Sequence, residues 1–540
     1  MAPERFGLET GGRAEALRQA ALLLASLAIF LVAHRYYPGV PQAGNEMTGW
    51  GGWADQTKYI VASQAWSAFD LTPLKHWYPP GYPLLAAFLL PLTSPDRFLL
   101  PNIACLIAGQ LACGSLAVRL FPGLRLARSL GAAVFLVASV GTLVGLKTWI
   151  APWTTTPAAA ITLMALVAAL RLAEQPSGAR GAVLGALVGA MLWFRPADDM
   201  PIALASAVVL LQPLRMTGPA RLATVVLCGL LGTLAAAVPL YGLIAATTGF
   251  GNGTYFALSR NFGFEIRLLP LRFVTLILDG RPVFDGVGTE RFEPGLHRGL
   301  EAGFPWVIPG LVGAVTCLFG AVPRRAVLLL GAWLTAQMVL ILSYRDLHVL
   351  GFWQYANYHY FKAAQPILLL FALSLPIGFW NGTLRLPAAG IAVLAFVGLT
   401  FWRIELLPDP GHAPGPNTDA AGLALGDLSS IDSAAIVPAR GTWNRLYADP
   451  FVLAIGARRY VHNIDFKIYA RKDDLLLVPI RPLAAGAGVL FLDPGMADEP
   501  HRAVVMMRQH LHFGLPCLFG IAGAAVCGTL GAPVIPVAAP

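Results

Sequence analysis

The chain has 540 residues, 56% of them hydrophobic and only 12% charged, with a mean hydropathy of +0.64. Soluble domains carry roughly 25% charged residues, so this charge density excludes an ordinary soluble globule. The formal charge of +9 does not mark a nucleic-acid binder, because the basic residues are scattered as short clusters between apolar blocks.

Those apolar blocks run to about 16–25 residues, the length a helix needs to cross hydrocarbon. The ten-residue alternation of a membrane β-barrel is absent, so spanning helices are expected. The first block, 16–33, has no small-residue cleavage site and leads into Arg35-Tyr36-Tyr37, which reads as a retained helix with an interfacial anchor. Arg13 and Arg18 before it set its start inside, so residues 35–97 form a large outer loop. Within that loop the apolar piece 84–92 is too short to span and is expected to lie in the interface.

Further spans follow at about 98–118, 129–146, 157–171, 181–194, 200–212, 222–246, 303–321, 326–343, 364–380 and 386–402. This gives about eleven transmembrane helices, with the N-terminus cytoplasmic and the C-terminus outside. Under this count the basic turns at Arg119–Arg128, Arg171–Arg180, Arg215–Arg221, Arg324–Arg325 and Arg385 all face the cytoplasm, as the positive-inside rule requires. Counting 84–95 as a span would invert them.

Residues 403–540 change character. They open on a Pro- and Gly-rich linker, Pro408 to Pro416, and continue with short apolar runs such as Ala434–Val437 and Val489–Leu492. With a helical stretch over 499–512, this reads as a small α/β domain on the outer side; the alternative makes 513–539 a twelfth helix. Cys517 and Cys527 leave a disulfide open there, whereas Cys105, Cys113, Cys228 and Cys317 sit in apolar helices as packing. The expected fold class is thus an all-α polytopic membrane protein, 1–402, with a small C-terminal α/β extracytoplasmic domain.

Polar groups are costly near a bilayer, so those gathered at one end of a bundle are functional candidates. Four groups fall at the outer ends. Asp55, with Lys58 and Tyr59, opens a short helix on which Asp55, Tyr59 and Ala62 share a face and Trp66 lies a turn beyond. Its plain alternative is a solvated helix cap. The segment Lys75-His76-Trp77-Tyr78-Pro79-Pro80-Gly81-Tyr82-Pro83 combines a proline-set turn with aromatic side chains suited to the headgroup level. Arg195-Pro196 follows the fifth helix, with Asp198 and Asp199 behind it. Tyr358-His359-Tyr360-Phe361-Lys362 precedes the tenth. Each cation taken singly reads as an interfacial anchor.

In this order the motifs resemble the GT-C superfamily of membrane glycosyltransferases: one helix, an outer loop with an early Asp and a Tyr four residues on, Tyr-Pro-Pro-Gly-Tyr-Pro, a later Arg-Pro, and a basic residue before a late helix. The nearest branch is that of protein O-mannosyltransferases and lipid A aminoarabinose transferases, over residues 15–400. The resemblance implies a polyprenyl-phosphate sugar donor bound at the outer, periplasmic face of a cell inner membrane. It also implies a lipid, glycan or protein acceptor and Asp55 in the catalytic role. Many relatives carry an acid in the next outer loop, but here Lys147–Thr156 contains none, so a divalent cation is left without that support and no metal ligands are assigned.

The residue chemistry points the same way. A partly desolvated carboxylate suits general-base work. Fixed cations such as Lys362, Arg195 and Lys58 suit a departing phosphate. Substrate contacts are expected from Lys58, Tyr59, His76, Tyr78, Tyr82, Arg195, His359 and Lys362. A flippase or transporter, a glycan ligase, and a catalytically degenerate subunit of the same fold are the rival readings. The first is disfavoured because neither an internal repeat nor a mid-span charge is evident.

Overall fold

The computed structural model describes residues 4–36, 54–89, 97–215, 218–247, 264–280, 298–319, 323–344, 347, 353, 357–379 and 384–403, and seven strands beyond them. The chain divides into two compact units, Met1–Val40 with Lys58–Pro410, and Pro41–Thr57 with Gly411–Pro540.

The first unit is helical. Its helices are α1 (Glu4–Tyr36), α2 (Ala54–Ser67), α3 (Gly81–Phe88), α4 (Leu99–Leu120), α5 (Ala127–Ser139), α6 (Leu143–Ile150) and α7 (Thr155–Glu174). Then come α8 (Gly178–Met191), α9 (Asp199–Arg215), α10 (Pro219–Thr247), α11 (Val307–Cys317), α12 (Arg324–Ser343), α13 (Ala364–Phe379) and α14 (Arg385–Trp402). Among the described residues six helices are long and apolar enough to cross a membrane, seven if α5 and α6 form one broken span. Three shorter apolar helices accompany them: Gly178–Met191, Val307–Cys317 and Ala364–Gly378. Each of the eleven stretches expected from the sequence falls on at least one helix.

Three expectations need correction. The stretch 129–146 is not one helix but two, α5 and α6, bent by 84°. The break falls at Val140-Gly141, after which Thr142 starts α6 by accepting a hydrogen bond from the Gly145 amide at 3.0 Å. A side-chain cap of this kind satisfies an end amide and so makes a fresh helix start cheap. Consequently Lys147–Ile150, expected as loop, is helical. The stretch 247–302, between the expected spans 222–246 and 303–321, is not all loop either, since 266–278 winds through 3₁₀, α and π turns. There Arg272 is buried and donates to the backbone carbonyls of Leu342 and Tyr344 at the end of α12.

The short helix α3 has eight residues, too few to span. It is docked by its N-terminus: the Gly81 amide donates to the Trp193 carbonyl at 2.8 Å, and a Cβ at Gly81 would sit 2.6 Å from that oxygen. Only glycine permits this approach.

With hydrocarbon outside, helices gain little by hiding apolar surface from one another, and close backbone contact takes over. The α8–α10 pair shows it. Gly181, Gly185 and Gly189, one turn apart, face the backbone of Val225, Gly229 and Thr233, and the Thr233 hydroxyl donates to the Gly185 carbonyl at 3.0 Å. A side chain at Gly185 would collide with the Gly229 carbonyl. Gly310 and Gly313 of α11 meet Leu368 and Phe371 of α13 in the same manner.

The second unit contains β1 (Ser433–Pro438), β2 (Arg459–Tyr460), β3 (Phe466–Arg471), β4 (Asp474–Pro479), β5 (Ala487–Leu492), β6 (Cys517–Phe519) and β7 (Ala524–Gly528). Five make a mixed sheet in the order β2-β1-β5-β7-β6, and β3–β4 form a hairpin. The runs Ala434–Val437 and Val489–Leu492 fall on the neighbouring parallel strands β1 and β5. The described backbone in 513–539 is strand, with Cys517 opposite Cys527. The helix expected over 499–512 lies outside the described residues.

Candidate active site

The site is organised by the stretch Lys147–Thr156, the end of α6 and the start of α7. Both termini of that stretch are held in place by its neighbours. The Asn102 side-chain amide of α4 donates to the Ile150 carbonyl at 3.1 Å, and its Oδ1 accepts from the Tyr82 hydroxyl at 2.6 Å. The Tyr59 hydroxyl lies 3.5 Å from that of Thr154. Tyr59 is buried and packs its ring 4.7 Å from Tyr78, 5.7 Å from Tyr82 and 6.5 Å from Phe98. Edge and tilted contacts of this kind fix ring positions as well as burying area. The segment carrying Tyr59 and Tyr82 is thereby joined to 147–156, directly through Tyr59 and through Asn102 from Tyr82.

The late segment closes the cluster from the other side. Lys362 is only 4% exposed, and its Nζ donates to the Thr148 carbonyl at 2.7 Å and the Thr156 hydroxyl at 2.6 Å, 5.1 Å from the Trp149 ring. His359 stacks on Trp153 with centroids 3.9 Å apart and planes at 17°. Its Nδ1 is hydrogen-bonded to the Thr155 hydroxyl at 3.0 Å. Arg195 lies over the Tyr360 ring at 4.8 Å and is ion-paired to Asp198 at 2.8 Å. Asp198 in turn lies 3.5 Å from the Gln337 amide.

Burial and mutual repulsion set the charge states. Desolvation holds Lys362 well below the usual lysine range; the Cys105 thiol opposes that shift and the Arg195 charge adds to it. His359 is held low by burial and then by Lys362 and Arg195, so it stands as a neutral ring. Arg195 thus has a carboxylate partner in Asp198, whereas the acceptors of Lys362 are a carbonyl and a hydroxyl, both neutral.

Of the expected residues, Tyr59, Tyr78, Tyr82, Arg195, His359 and Lys362 are linked in this way. Lys58 sits at the edge, its Nζ 4.1 Å above the Trp77 ring and 5.8 Å from that of Tyr78. His76 is placed differently. It stacks on Trp66 at 4.4 Å, and its Nε2 bonds to the Asp70 carbonyl at 2.7 Å, which fixes the turn ending α2. Burial lowers its pKa too. Nearby, the Lys75 ion pair holds the Asp70 carboxyl below the carboxylate range. Asp55 is the second residue of α2, and its side chain lies outside the described residues.

The residues that sequence reasoning passed over are Thr148, Thr154, Thr155, Thr156, Trp149, Trp153 and Asn102. A signal existed: three threonines in a row before an apolar run are what a helix start looks like. Among the described residues no group of three or more His, Cys, Asp or Glu side chains comes together as a metal would need. The Asp198 carboxylate is taken up by Arg195. The stretch 147–156, which has no carboxylate, offers hydroxyls and a carbonyl.

No family model matches the sequence, and no curated protein matches it either. Solved structures do match in fold. One is ArnT from Cupriavidus metallidurans bound to undecaprenyl phosphate, 13% identical, with a TM-score of 0.50 over 96% of this chain and 99% of that one. Another is the same protein in the apo state, 10% identical, TM-score 0.51, over 94% and 97%. A third is the Archaeoglobus fulgidus oligosaccharyltransferase in complex with Zn and sulfate, 13% identical, TM-score 0.46, over 93% and 73%. The chain resembles the two ArnT structures in fold, and six of its described helices are long and apolar enough to cross a membrane.

Proposed function

We propose that the protein is a membrane glycosyltransferase that moves a sugar from a polyprenyl-phosphate carrier to an acceptor hydroxyl at the outer, periplasmic face of an inner membrane. The observation that carries this reading is Lys362, a buried amine held by the Thr148 carbonyl and the Thr156 hydroxyl beside Arg195 and His359. Such a cluster suits an anion that arrives without its water. The likeness in fold to an ArnT structure bound to undecaprenyl phosphate supports a polyprenyl-phosphate partner.

In the proposed reaction the acceptor oxygen attacks the anomeric carbon as the bond from that carbon to the phosphate oxygen breaks. The electron pair leaves on the phosphate, whose charge Lys362 and Arg195 stabilise. Asp55 takes the acceptor proton, a reading supported by its spacing of four from Tyr59 on α2. A single displacement of this kind inverts the anomeric centre. The tyrosines at 59, 78 and 82 form the wall beside the sugar, and the tail is proposed as an α/β domain on the same outer side, with about eleven spans before it.

The test is transfer from a radiolabelled polyprenyl-phosphate sugar by membranes containing the full chain, with and without chelator. Asp55→Ala is expected to cut the rate by about 10²–10⁴-fold with expression unchanged. Lipid movement across the bilayer without any transfer would overturn the enzyme reading in favour of a flippase.

A further inference from the structure

We propose that donor phosphate binding at Lys362 takes up a proton from solution, so that this side chain is an ammonium only while the anion is present. The inference rests on the functional reading above and adds to it how the anion is recognised.

The geometry carries it. An ammonium offers three N–H groups, and Lys362 has two acceptors, both neutral: a carbonyl and a hydroxyl. Among the described residues no carboxylate bonds to it. Asp198 is spent on Arg195, and among the described residues the other titratable groups acting on Lys362 are Arg195 itself, His359 on its own segment and the Cys105 thiol of α4. None of them supplies a negative charge as a neutral thiol, a neutral imidazole or a cation. The Thr156 hydroxyl also belongs to the first turn of α7, a helix of 20 residues whose N-terminal end carries partial positive charge. A buried cation is therefore opposed three times over, by desolvation, by Arg195 and by the helix end.

All three features change sign for an anion. A helix N-terminus and an adjacent guanidinium attract phosphate, and phosphate then makes the ammonium the favoured form of Lys362. Binding and protonation are linked: the free site binds few protons, the occupied site binds one more, so affinity is greatest at low pH. It falls as pH rises above the free-state pKa of Lys362 and stops falling only above the bound-state pKa. The only bond formed is the third ammonium N–H, and its proton comes from solvent.

The experiment is calorimetric titration of the purified full chain with the methyl diester of a short polyprenyl phosphate, a probe whose phosphate does not itself titrate near neutral pH. Running it in two buffers of different ionisation enthalpy counts the protons. About one proton taken up per lipid is expected, with affinity dropping by up to about tenfold per pH unit on the alkaline side. Lys362→Arg, whose charge cannot be removed, is expected to bind with no uptake and a flat pH profile. Lys362→Met is expected to lose about 10–100-fold in affinity. Binding by the unaltered chain without uptake, or uptake that persists in Lys362→Arg, overturns the inference and leaves the transferase reading standing. Failure of the unaltered chain to bind the diester at all sinks both.

Discussion

The two ends of α7 are built on opposite terms. At its C-terminal end, cations meet backbone oxygens that want them. Arg180 donates to the Arg171 and Gln175 carbonyls at 3.0 and 2.9 Å, Arg221 to Pro176 at 2.9 Å and Arg325 to Ala173 at 3.4 Å, while Arg119 pairs with Glu174 at 2.8 Å. Orphan carbonyls and the negative end of the helix dipole are both satisfied. At its N-terminal end, Lys362 and His359 are pressed onto threonine hydroxyls beside amides that already carry positive charge. One end is a finished structural joint. The other sets nitrogen groups against neutral oxygens, with no carboxylate among the described hydrogen-bond partners of Lys362 and His359.

The sharpest way to break this contrast is to remove the cation at the N-terminal end. Lys362→Met is expected to cut sugar transfer by about 10²–10³-fold while the thermal midpoint holds or rises, because a buried amine without a counter-charge gives little stability. If activity and melting fall together, the two ends are alike after all. Next in size is a change between the ends, at the α8–α10 seam. Gly185→Leu forces two backbones apart and is expected to cost about 1–3 kcal/mol, read as a lower melting temperature in detergent. Smaller again is Thr156→Val, which removes one acceptor from Lys362. A loss of about 0.5–1.5 kcal/mol, seen in transfer rate and restored by Thr156→Ser, is expected. Smallest is Arg119→Ala at the C-terminal end. Its partner Glu174 is half exposed, so about 0.2–1 kcal/mol of stability and no activity should be lost. A large activity loss there would mean that the C-terminal end of α7 reports to the N-terminal one.

Much of the scaffold was legible because bilayer thickness imposes block lengths: 98–118 became Leu99–Leu120 and 222–246 became Pro219–Thr247. What escaped was the bend in 129–146. Ser139, Val140, Gly141 and Thr142 interrupt the apolar run too briefly to alter its hydropathy, and it is the Thr142 cap, a local hydrogen bond, that decides the break. Site legibility followed the same division. Lys362, Arg195 and His359 stand out as charges at helix ends, where their cost calls for a reason. The threonines that receive them do not stand out, because a hydroxyl is cheap anywhere. In 147–156 the lack of a carboxylate is conspicuous in the sequence and the four threonines are not. His76 stands out in the same way as the charges, as a polar side chain beside an aromatic motif, and its described contacts pin the Asp70 turn.

The bend between α5 and α6 has a consequence for how the site can change. Thr148 and Ile150 ride on a short arm of eight residues beyond the corner, and that arm presents the carbonyls that meet Lys362 and Asn102. The direction it points is a matter of phase. One residue added at Gly141 would turn the arm by about 100° about its own axis, at 3.6 residues per turn, while α5 stayed seated against α4. The corner is thus the register mark of the site, and its length in residues is as much a specification of the chemistry as any side chain around it.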